Sequence, residues 1–291
     1  MTVAAGETHH VDGTEETIVN ADGVPLSGIL ALPKRVPPRA MVVALHGGGV
    51  NARYFHGSAH PDVSLLTLGA KLGFSVLALD RPGYGRFADR FPQGQTLAEQ
   101  TLILRTAIKE LRMQPEAGAG IFLLAHSFGG KLALSAAADD RELLGLDISG
   151  LGHRYATDAA DLGTPHERTS WKRNWGSLGL YPPGTFQSSG PMVNPMPLGE
   201  ATDAKEWPCV FGSVAKHIRI PVQLTFAEHE FWWRHDDQSL EELTSSLTNA
   251  PRVVVNHQPA AGHNISLGWA ARPYHLRALA FLEDCLIDRE T

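Results

Sequence analysis

Six stretches of continuous hydrophobic residues recur along the chain, separated by segments with helical spacing. A hydrophobic run without polar alternation is typical of a strand that is covered on both faces, as in a parallel sheet. The six stretches are 41–49 (which ends in a glycine run), 74–80, 120–126, 143–149, 220–227 and 252–257. Two earlier runs, 16–20 and 24–33, predict a hairpin that turns at 21–23.

Helical patterns alternate with these predicted strands. The segment 61–73 begins with proline and ends with glycine, which helices favour at those positions. Thr96 and Glu99 have capping-box spacing, so a helix is predicted over 96–112. Two further helices are predicted over 236–247 and 272–287. The alternation predicts an α/β fold with a doubly wound, mostly parallel sheet of about eight strands.

Residues 151–219 interrupt the alternation, because this segment is far longer than an ordinary connection between strands. Within it we predict a helix over 165–175, where Thr164 and Glu167 have capping-box spacing, and no regular structure over the Gly- and Pro-rich 176–199. Five tryptophans lie in or just after the insertion: Trp171, Trp175, Trp207, Trp232 and Trp233. Exposing so many rings is unfavourable, so we interpret the insertion as a cap, or lid, over a pocket rather than a surface embellishment.

The predicted organisation therefore has three parts. A polar N-terminal tail spans 1–14, the α/β core spans 15–150 and 220–291, and the cap spans 151–219. No internal repeat is visible along the chain.

Composition and charge narrow the class of protein. The net charge of −6 argues against nucleic-acid binding, which needs a clustered basic face. No apolar run is long enough to span a membrane, and the N-terminus lacks a signal-peptide pattern. Cys209 and Cys285 stand in unrelated local contexts and give no sign of a disulfide. A soluble, cytoplasmic protein is expected.

Ser127 lies where a predicted buried strand runs into a predicted helix, in the stretch GIFLLAHSFGGKLAL. A serine on such a turn is held in a strained conformation with its oxygen exposed, which suits a nucleophile. Small residues are needed two positions before and after it, and Ala125 and Gly129 occupy those positions. The pattern is G-x-S-x-G with alanine in place of the first glycine.

A nucleophilic serine needs a base and a group that orients the base. His263 follows the last predicted strand in a glycine-containing loop and is preferred over His257, which belongs to that strand. For the acid, Glu228 and Glu230 both end the preceding strand, and Glu230 lies further into the loop. Asp147, on the strand before the insertion, is the third alternative.

The glycine run 46–49, HGGG, follows the first long strand and suits an oxyanion hole, because glycines let backbone N–H groups approach a substrate. No metal-ligand spacing is recognisable, and no G-K-[ST] follows the glycines as in a phosphate loop. No metal or other cofactor is expected.

The sequence resembles the serine-nucleophile branch of the α/β-hydrolase superfamily, whose esterases and thioesterases carry a cap insertion. Its motifs here are HGGG at 46–49, DRPGYG at 80–85, AHSFGG at 125–130, AEHE at 227–230 and GHN at 262–264. The chain order Ser127, Glu230, His263 matches the nucleophile–acid–base order of the family. The resemblance implies that His263 is the base and Glu230 its orienting carboxylate. It also implies an oxyanion hole formed by the N–H groups of Gly48 and Phe128, with Gly49 as a further donor. Gly83 and Gly85 match a turn whose role in the family is structural.

The resemblance implies a serine hydrolase that cleaves an ester or thioester through an acyl-enzyme. The candidate pocket residues, which suggest an apolar or aromatic small molecule, are Trp171, Trp175, Tyr181, Phe186 and Trp232. The alternatives are a carbon–carbon bond hydrolase or a lyase on the same triad, or a ligand-binding protein without turnover. No nucleic-acid partner is expected, and the oligomeric state stays open, with a homodimer as one alternative.

Overall fold

The computed structural model describes residues 13–156, 167–188 and 190–290. Eight strands form its centre: β1 (Thr14–Ala21), β2 (Val24–Ala31), β3 (Met41–Leu45), β4 (Ser75–Leu79), β5 (Ile121–His126), β6 (Gly145–Ser149), β7 (Val222–His229) and β8 (Val253–Gly262). They make one sheet in the order β1-β2-β4-β3-β5-β6-β7-β8. β1, β2 and β4 pair antiparallel, and every pair from β4 to β8 is parallel. The predicted α/β class, the doubly wound sheet and the N-terminal hairpin are confirmed.

Eight α-helices are found in the described residues: α1 (Leu65–Lys71), α2 (Leu97–Arg112), α3 (Phe128–Ala137), α4 (Glu167–Trp175), α5 (Thr185–Ser188), α6 (Leu198–Ala215), α7 (Asp237–Ser246) and α8 (Ala271–Glu290). Thr96 caps α2 with the predicted reciprocal capping box to Glu99. Short 3-10 turns, such as Ala52–Phe55, fill several connections.

Both faces of the sheet are covered, which is why the central strands are hydrophobic without alternation. Along β3, Val43 packs with residues of α2 and α3 on one face. Its neighbour Val42 packs with residues of α1 and α8 on the other. The core therefore consists of two hydrophobic layers, one on each side of the sheet.

Helix α6 lies where no helix was predicted, and it carries Pro208 inside it. Proline has no N–H to donate to the carbonyl four residues earlier, so helix interiors normally exclude it. Here that carbonyl, on Ala204, instead accepts hydrogen bonds from Lys131 Nζ at 3.2 Å and from the Tyr155 hydroxyl. Two side chains of the core thus replace the missing helical bond, a long-range compensation that a local pattern cannot reveal.

The segment between β6 and β7 contains α4, α5 and α6. Helix α4 ends at Trp175, as predicted, while Thr164 and the predicted helix start at 165 lie outside the described residues. Residues 191–194 of this segment meet the loop after β3: Val193 pairs with Val50, and Asn51 N–H donates to the Met192 carbonyl at 3.0 Å. The boundaries of the cap and of the N-terminal tail stay predictions.

Candidate active site

Ser127 stands at the junction of β5 and α3 with φ 53° and ψ −118°, a conformation that non-glycine residues rarely adopt. Its N–H donates to the Ser149 carbonyl at 2.9 Å, which ties the turn to the end of β6. A Cβ added at Gly129 would lie 2.3 Å from the Leu45 carbonyl oxygen, so only glycine fits two positions after the serine. Ala125, two positions before it, is fully buried in the β5 ladder, and its methyl group is accommodated.

His263 and Glu230 form a buried pair at the same edge of the sheet. His263 Nδ1 lies 2.8 Å from Glu230 Oε2, and the side chains are 5% and 0% exposed. Because a carboxylate only accepts hydrogen bonds, Nδ1 carries the proton and the Nε2 lone pair is left to accept one. The other carboxylate oxygen, Oε1, accepts the Trp232 N–H at 2.8 Å, which fixes the orientation of the carboxylate.

The other candidate acids are bound elsewhere. Glu228 Oε2 accepts the Ala260 N–H at 2.8 Å and is exposed. Asp147 is buried between the Tyr274 hydroxyl and the Gln223 amide, each 2.6 Å away, and burial raises its pKa to about 6. In the described part of the chain no hydrogen bond or ion pair joins either carboxylate to His263.

Gly150 brings His263 close to the serine turn. It has φ 62° and directly follows Ser149, and a Cβ there would lie 2.8 Å from His263 Cε1. Among the described residues no hydrogen bond joins Ser127 Oγ to His263. Such bonds are often long in enzymes without substrate and tighten when it binds.

A second imidazole, which the sequence gave no reason to single out, lies beside His263. His126 stacks on Tyr54 with 4.7 Å between ring centroids, and its centroid is also 4.7 Å from that of His263. Burial, and then the neighbouring His263, hold the pKa of His126 well below its usual value. His126 therefore lines the site as a neutral imidazole, and a hydrogen bond of 3.1 Å between its Nδ1 and Ser149 Oγ holds it in place.

The predicted oxyanion donors differ in their hydrogen bonding. The Gly49 N–H donates to the Tyr84 hydroxyl at 3.2 Å, so it is already used. The Phe128 N–H opens α3, where helical amides have no partner within the helix. The Gly48 N–H has no partner among the described residues. The thioether of Met196, in the segment between β6 and β7, packs on Gly48, 3.1 Å from where a Cβ would lie.

A buried ion pair behind the glycine loop was missed by sequence reasoning. Arg81 pairs with Glu200 of α6, and their side chains are 1% and 0% exposed. Arg81 also donates to the carbonyls of His46 and Gly47 at 2.9 and 3.0 Å. The sequence predicts only a turn at the DRPGYG motif, and no local pattern links Arg81 to a carboxylate 119 residues later.

The candidate pocket residues mostly contact each other. The rings of Trp171, Trp175, Tyr181 and Phe186 form one cluster, with centroids 5.0–5.7 Å apart in each contacting pair. Trp175 and Tyr181 pack against Gly262, the residue before His263. Trp232 lies nearest to the candidate base, with 6.4 Å between the ring centroids of Trp232 and His263.

The tryptophans thus do not gather in one group. Trp207 and Trp233 instead pack around the ammonium group of Lys131, at 5.9 and 5.4 Å from the ring centroids. Both rings belong to the core layer that contains α2 and α3.

Two cavities of about 200 and 500 Å³ lie away from Ser127, Glu230 and His263. The larger one is a groove between α2, α3 and α6.

Within the described residues no group of three or more His, Cys, Asp or Glu side chains could hold a metal ion. The helices described there include none that is both long and apolar enough to cross a membrane.

Comparison with known proteins gives the same picture of the fold. The sequence profile of the alpha/beta hydrolase family matches residues 42–279. A "Putative non-heme haloperoxidase" of Mycobacterium phage D29 is 32% identical over 123 residues, which cover 42% of this chain and only 38% of the phage protein.

Two solved structures are similar over almost their whole length. A monoglyceride lipase from Saccharomyces cerevisiae has a TM-score of 0.72 at 15% identity, covering 98% of this chain and 99% of the lipase. A carboxyl esterase from Bacillus coagulans has a TM-score of 0.71 at 16% identity, covering 95% of this chain and 100% of the esterase. At these identities the likeness concerns the fold.

Proposed function

The chain belongs to the alpha/beta hydrolase family, and from that premise we propose that it is a serine hydrolase. The substrate we propose is an ester or thioester of an apolar or aromatic small molecule, cleaved through an acyl-enzyme. The observation that carries the proposal is the buried His263–Glu230 pair, 2.8 Å apart, at the sheet edge that holds the strained Ser127. An esterase and a lipase among the proteins of similar fold support the same reaction class.

In the first half-reaction Ser127 Oγ attacks the acyl carbon while His263 Nε2 takes the hydroxyl proton. Glu230 stabilises the resulting imidazolium through Nδ1–H. The N–H groups of Gly48 and Phe128 hold the oxyanion of the tetrahedral intermediate. The intermediate collapses when the bond to the alcohol or thiol breaks, and His263 returns the proton to that leaving group.

In the second half-reaction water attacks the acyl-enzyme, and its proton passes to His263 Nε2. The new tetrahedral intermediate expels Ser127 Oγ, which recovers the proton from His263, and the carboxylic acid leaves. The neutral His126 beside His263 suits this cycle, because a second cation there would disfavour the imidazolium.

The apolar character of the proposed substrate follows from the side chains nearest the reacting groups. Met196 packs on Gly48 and is 39% exposed, so it offers an adaptable apolar surface beside the proposed oxyanion donor. Trp232 offers a half-buried ring beside His263.

Labelling by a fluorophosphonate, combined with hydrolysis of aryl esters and the matching thioesters from acetyl to decanoyl, tests the proposal. We expect stoichiometric labelling of the wild-type protein, and loss of both labelling and hydrolysis in Ser127→Ala. Ser135→Ala is the matched control, because this serine lies on α3 two turns after Ser127. An unlabelled wild-type protein, or an active Ser127→Ala variant, would overturn the serine-hydrolase proposal. A labelled protein that hydrolyses neither esters nor thioesters would overturn the substrate class and favour carbon–carbon cleavage.

A further inference from the structure

The loop 46–49, which supplies a proposed oxyanion donor, is held from outside by side chains that follow β4. Arg81 binds the loop at both of its first carbonyls, donating from Nε to the His46 oxygen and from Nη2 to the Gly47 oxygen. The backbone N–H of Arg81 also donates to His46 Nε2 at 3.1 Å. Two residues of the loop are therefore fixed by three hydrogen bonds from one residue.

Tyr84 holds the other end of the loop. Its hydroxyl accepts the Gly49 N–H at 3.2 Å and donates to Glu200 Oε2 at 2.7 Å. The Gly47 carbonyl and the Gly48 N–H belong to one planar peptide group, so the hydrogen bond from Arg81 to this carbonyl also fixes the direction of the Gly48 N–H. The Gly48 N–H has no partner among the described residues. The hydrogen bonding thus occupies the Gly49 N–H and fixes the peptide group that carries the Gly48 N–H.

Glu200 completes this arrangement from the cap. It lies in the first turn of α6, is fully buried, and binds both Arg81 and Tyr84. The first two turns of α6 are tied to the start of α2, because the Leu97 N–H donates to Asp203 and the Gly199 N–H donates to the Gln93 carbonyl at 3.1 Å. No hydrogen bond joins Glu200 to the loop 46–49 in the described residues, so its hydrogen bonds reach the loop through Arg81 and Tyr84.

We propose that Arg81, Tyr84 and Glu200 are positioning residues that connect the cap helix α6 to the oxyanion hole. When the start of α6 is seated, Glu200 orients the Tyr84 hydroxyl and the Arg81 guanidinium, and these two fix the loop with the Gly48 N–H directed to the site. The guanidinium also lies 4.7 Å from the centroid of the Phe128 ring, so it contacts the residue that bears the second proposed donor. This inference rests on the proposed function.

A donor that must be held in place contributes to the transition state more than to substrate binding, since the full charge on the oxygen develops only there. Loss of the positioning residues is therefore expected to lower kcat with little change in KM. It should also weaken an inhibitor that forms a tetrahedral adduct, such as an aryl trifluoromethyl ketone, while leaving a non-reactive ether analogue of the same size bound as before.

Tyr84→Phe is the test variant, because it removes a single oxygen and keeps the ring between Arg81 and His46. Tyr155→Phe is the matched control: this hydroxyl also binds α6, at the Ala204 carbonyl, and the contacts described for it lie outside the loop 46–49. Glu200→Gln is the second variant, and it asks whether the effect reaches the loop from the cap. Circular dichroism and a thermal melt confirm that each variant is folded.

We expect Tyr84→Phe to lower kcat and the affinity for the trifluoromethyl ketone by about 10- to 100-fold each, with KM and ether affinity within about threefold of wild type. Glu200→Gln should shift the same two quantities in the same direction, and Tyr155→Phe should lower only the melting temperature. Suppose that the wild type is active and labelled. The inference is then overturned if Tyr84→Phe keeps the wild-type kcat, or if it loses affinity for the ketone and the ether equally. Either result would leave the serine mechanism standing. A wild type that neither hydrolyses esters nor is labelled would overturn the proposed function itself.

Discussion

Replacement of Glu230 by glutamine tests the proposed catalytic pair most directly. The carboxylate now accepts two N–H groups, from His263 Nδ1 and from the Trp232 backbone, both at 2.8 Å. A glutamine side chain has only one acceptor oxygen, and its NH2 group must face one of these donors. If that donor is His263, the proton of the imidazole moves from Nδ1 to Nε2. Nε2 then has no lone pair with which to accept the proton of Ser127.

The magnitude follows from what is lost. The imidazolium formed during acylation loses an anionic partner in a site where both side chains are nearly inaccessible to water. Replacing the orienting carboxylate by its amide lowers kcat by about 10⁴-fold in a Ser-His-Asp triad on an unrelated fold, which corresponds to about 5.4 kcal/mol of transition-state stabilisation. KM should change little, because Glu230 lies behind His263 and contacts the base rather than the substrate.

The assay is steady-state hydrolysis of an activated aryl ester, with the rate of fluorophosphonate labelling as a second readout. Glu228→Gln is the matched control, since this exposed carboxylate lies two residues earlier and binds only the Ala260 N–H among the described contacts. Asp147→Asn tests the third candidate. The reasoning is refuted if Glu230→Gln stays within tenfold of wild type, and the acid is relocated if one of the other two variants loses activity instead.

Three further predictions follow from packing and burial. Gly129→Ala should destabilise the fold by about 1–3 kcal/mol or more and abolish activity, because its Cβ would meet the Leu45 carbonyl oxygen at 2.3 Å; urea unfolding measures this. Trp175 is 8% exposed, so Trp175→Ala should lower the free energy of unfolding by about 3–5 kcal/mol. Trp171 is 40% exposed, so Trp171→Ala should lower it far less. If the cap binds acyl chains, Trp171→Ala should lower kcat/KM for decanoyl esters and not for acetyl esters. Burial lowers the pKa of Lys131 from 10.5 to about 7. Between these pH values the unfolded chain binds more protons than the folded chain, so the free energy of unfolding should rise with pH. Measurements from pH 7.5 to 9.5 should show this rise in the wild type and a smaller rise in Lys131→Met.

Much of the fold could be predicted from the sequence, because strands and turns leave local patterns. The hydrophobic run of β3 indicated a strand covered on both faces, and its residues do pack alternately into the two core layers. The small residues around Ser127 indicated a tight turn, and the close approach of Gly129 to the Leu45 carbonyl is the physical reason for that requirement. The resemblance paired Glu230 with His263, and these two side chains are hydrogen-bonded in the structure, while the catalytic roles of Ser127, Glu230 and His263 stay predictions.

The tertiary structure alone decided which of these groups are bound, and to what. The sequence favoured Glu230 over Glu228 only because it lies further into the loop, whereas the path of the chain after β7 directs Glu230 to His263 and Glu228 to Ala260. In the same way, α6 tolerates Pro208 because Lys131 and Tyr155 reach its orphaned carbonyl, and Arg81 finds its counter-ion on a helix far along the chain. The hydrogen-bond partner of a side chain depends on which distant groups the fold brings within about 3 Å of it. The local spacing of residues in the sequence does not determine that distance.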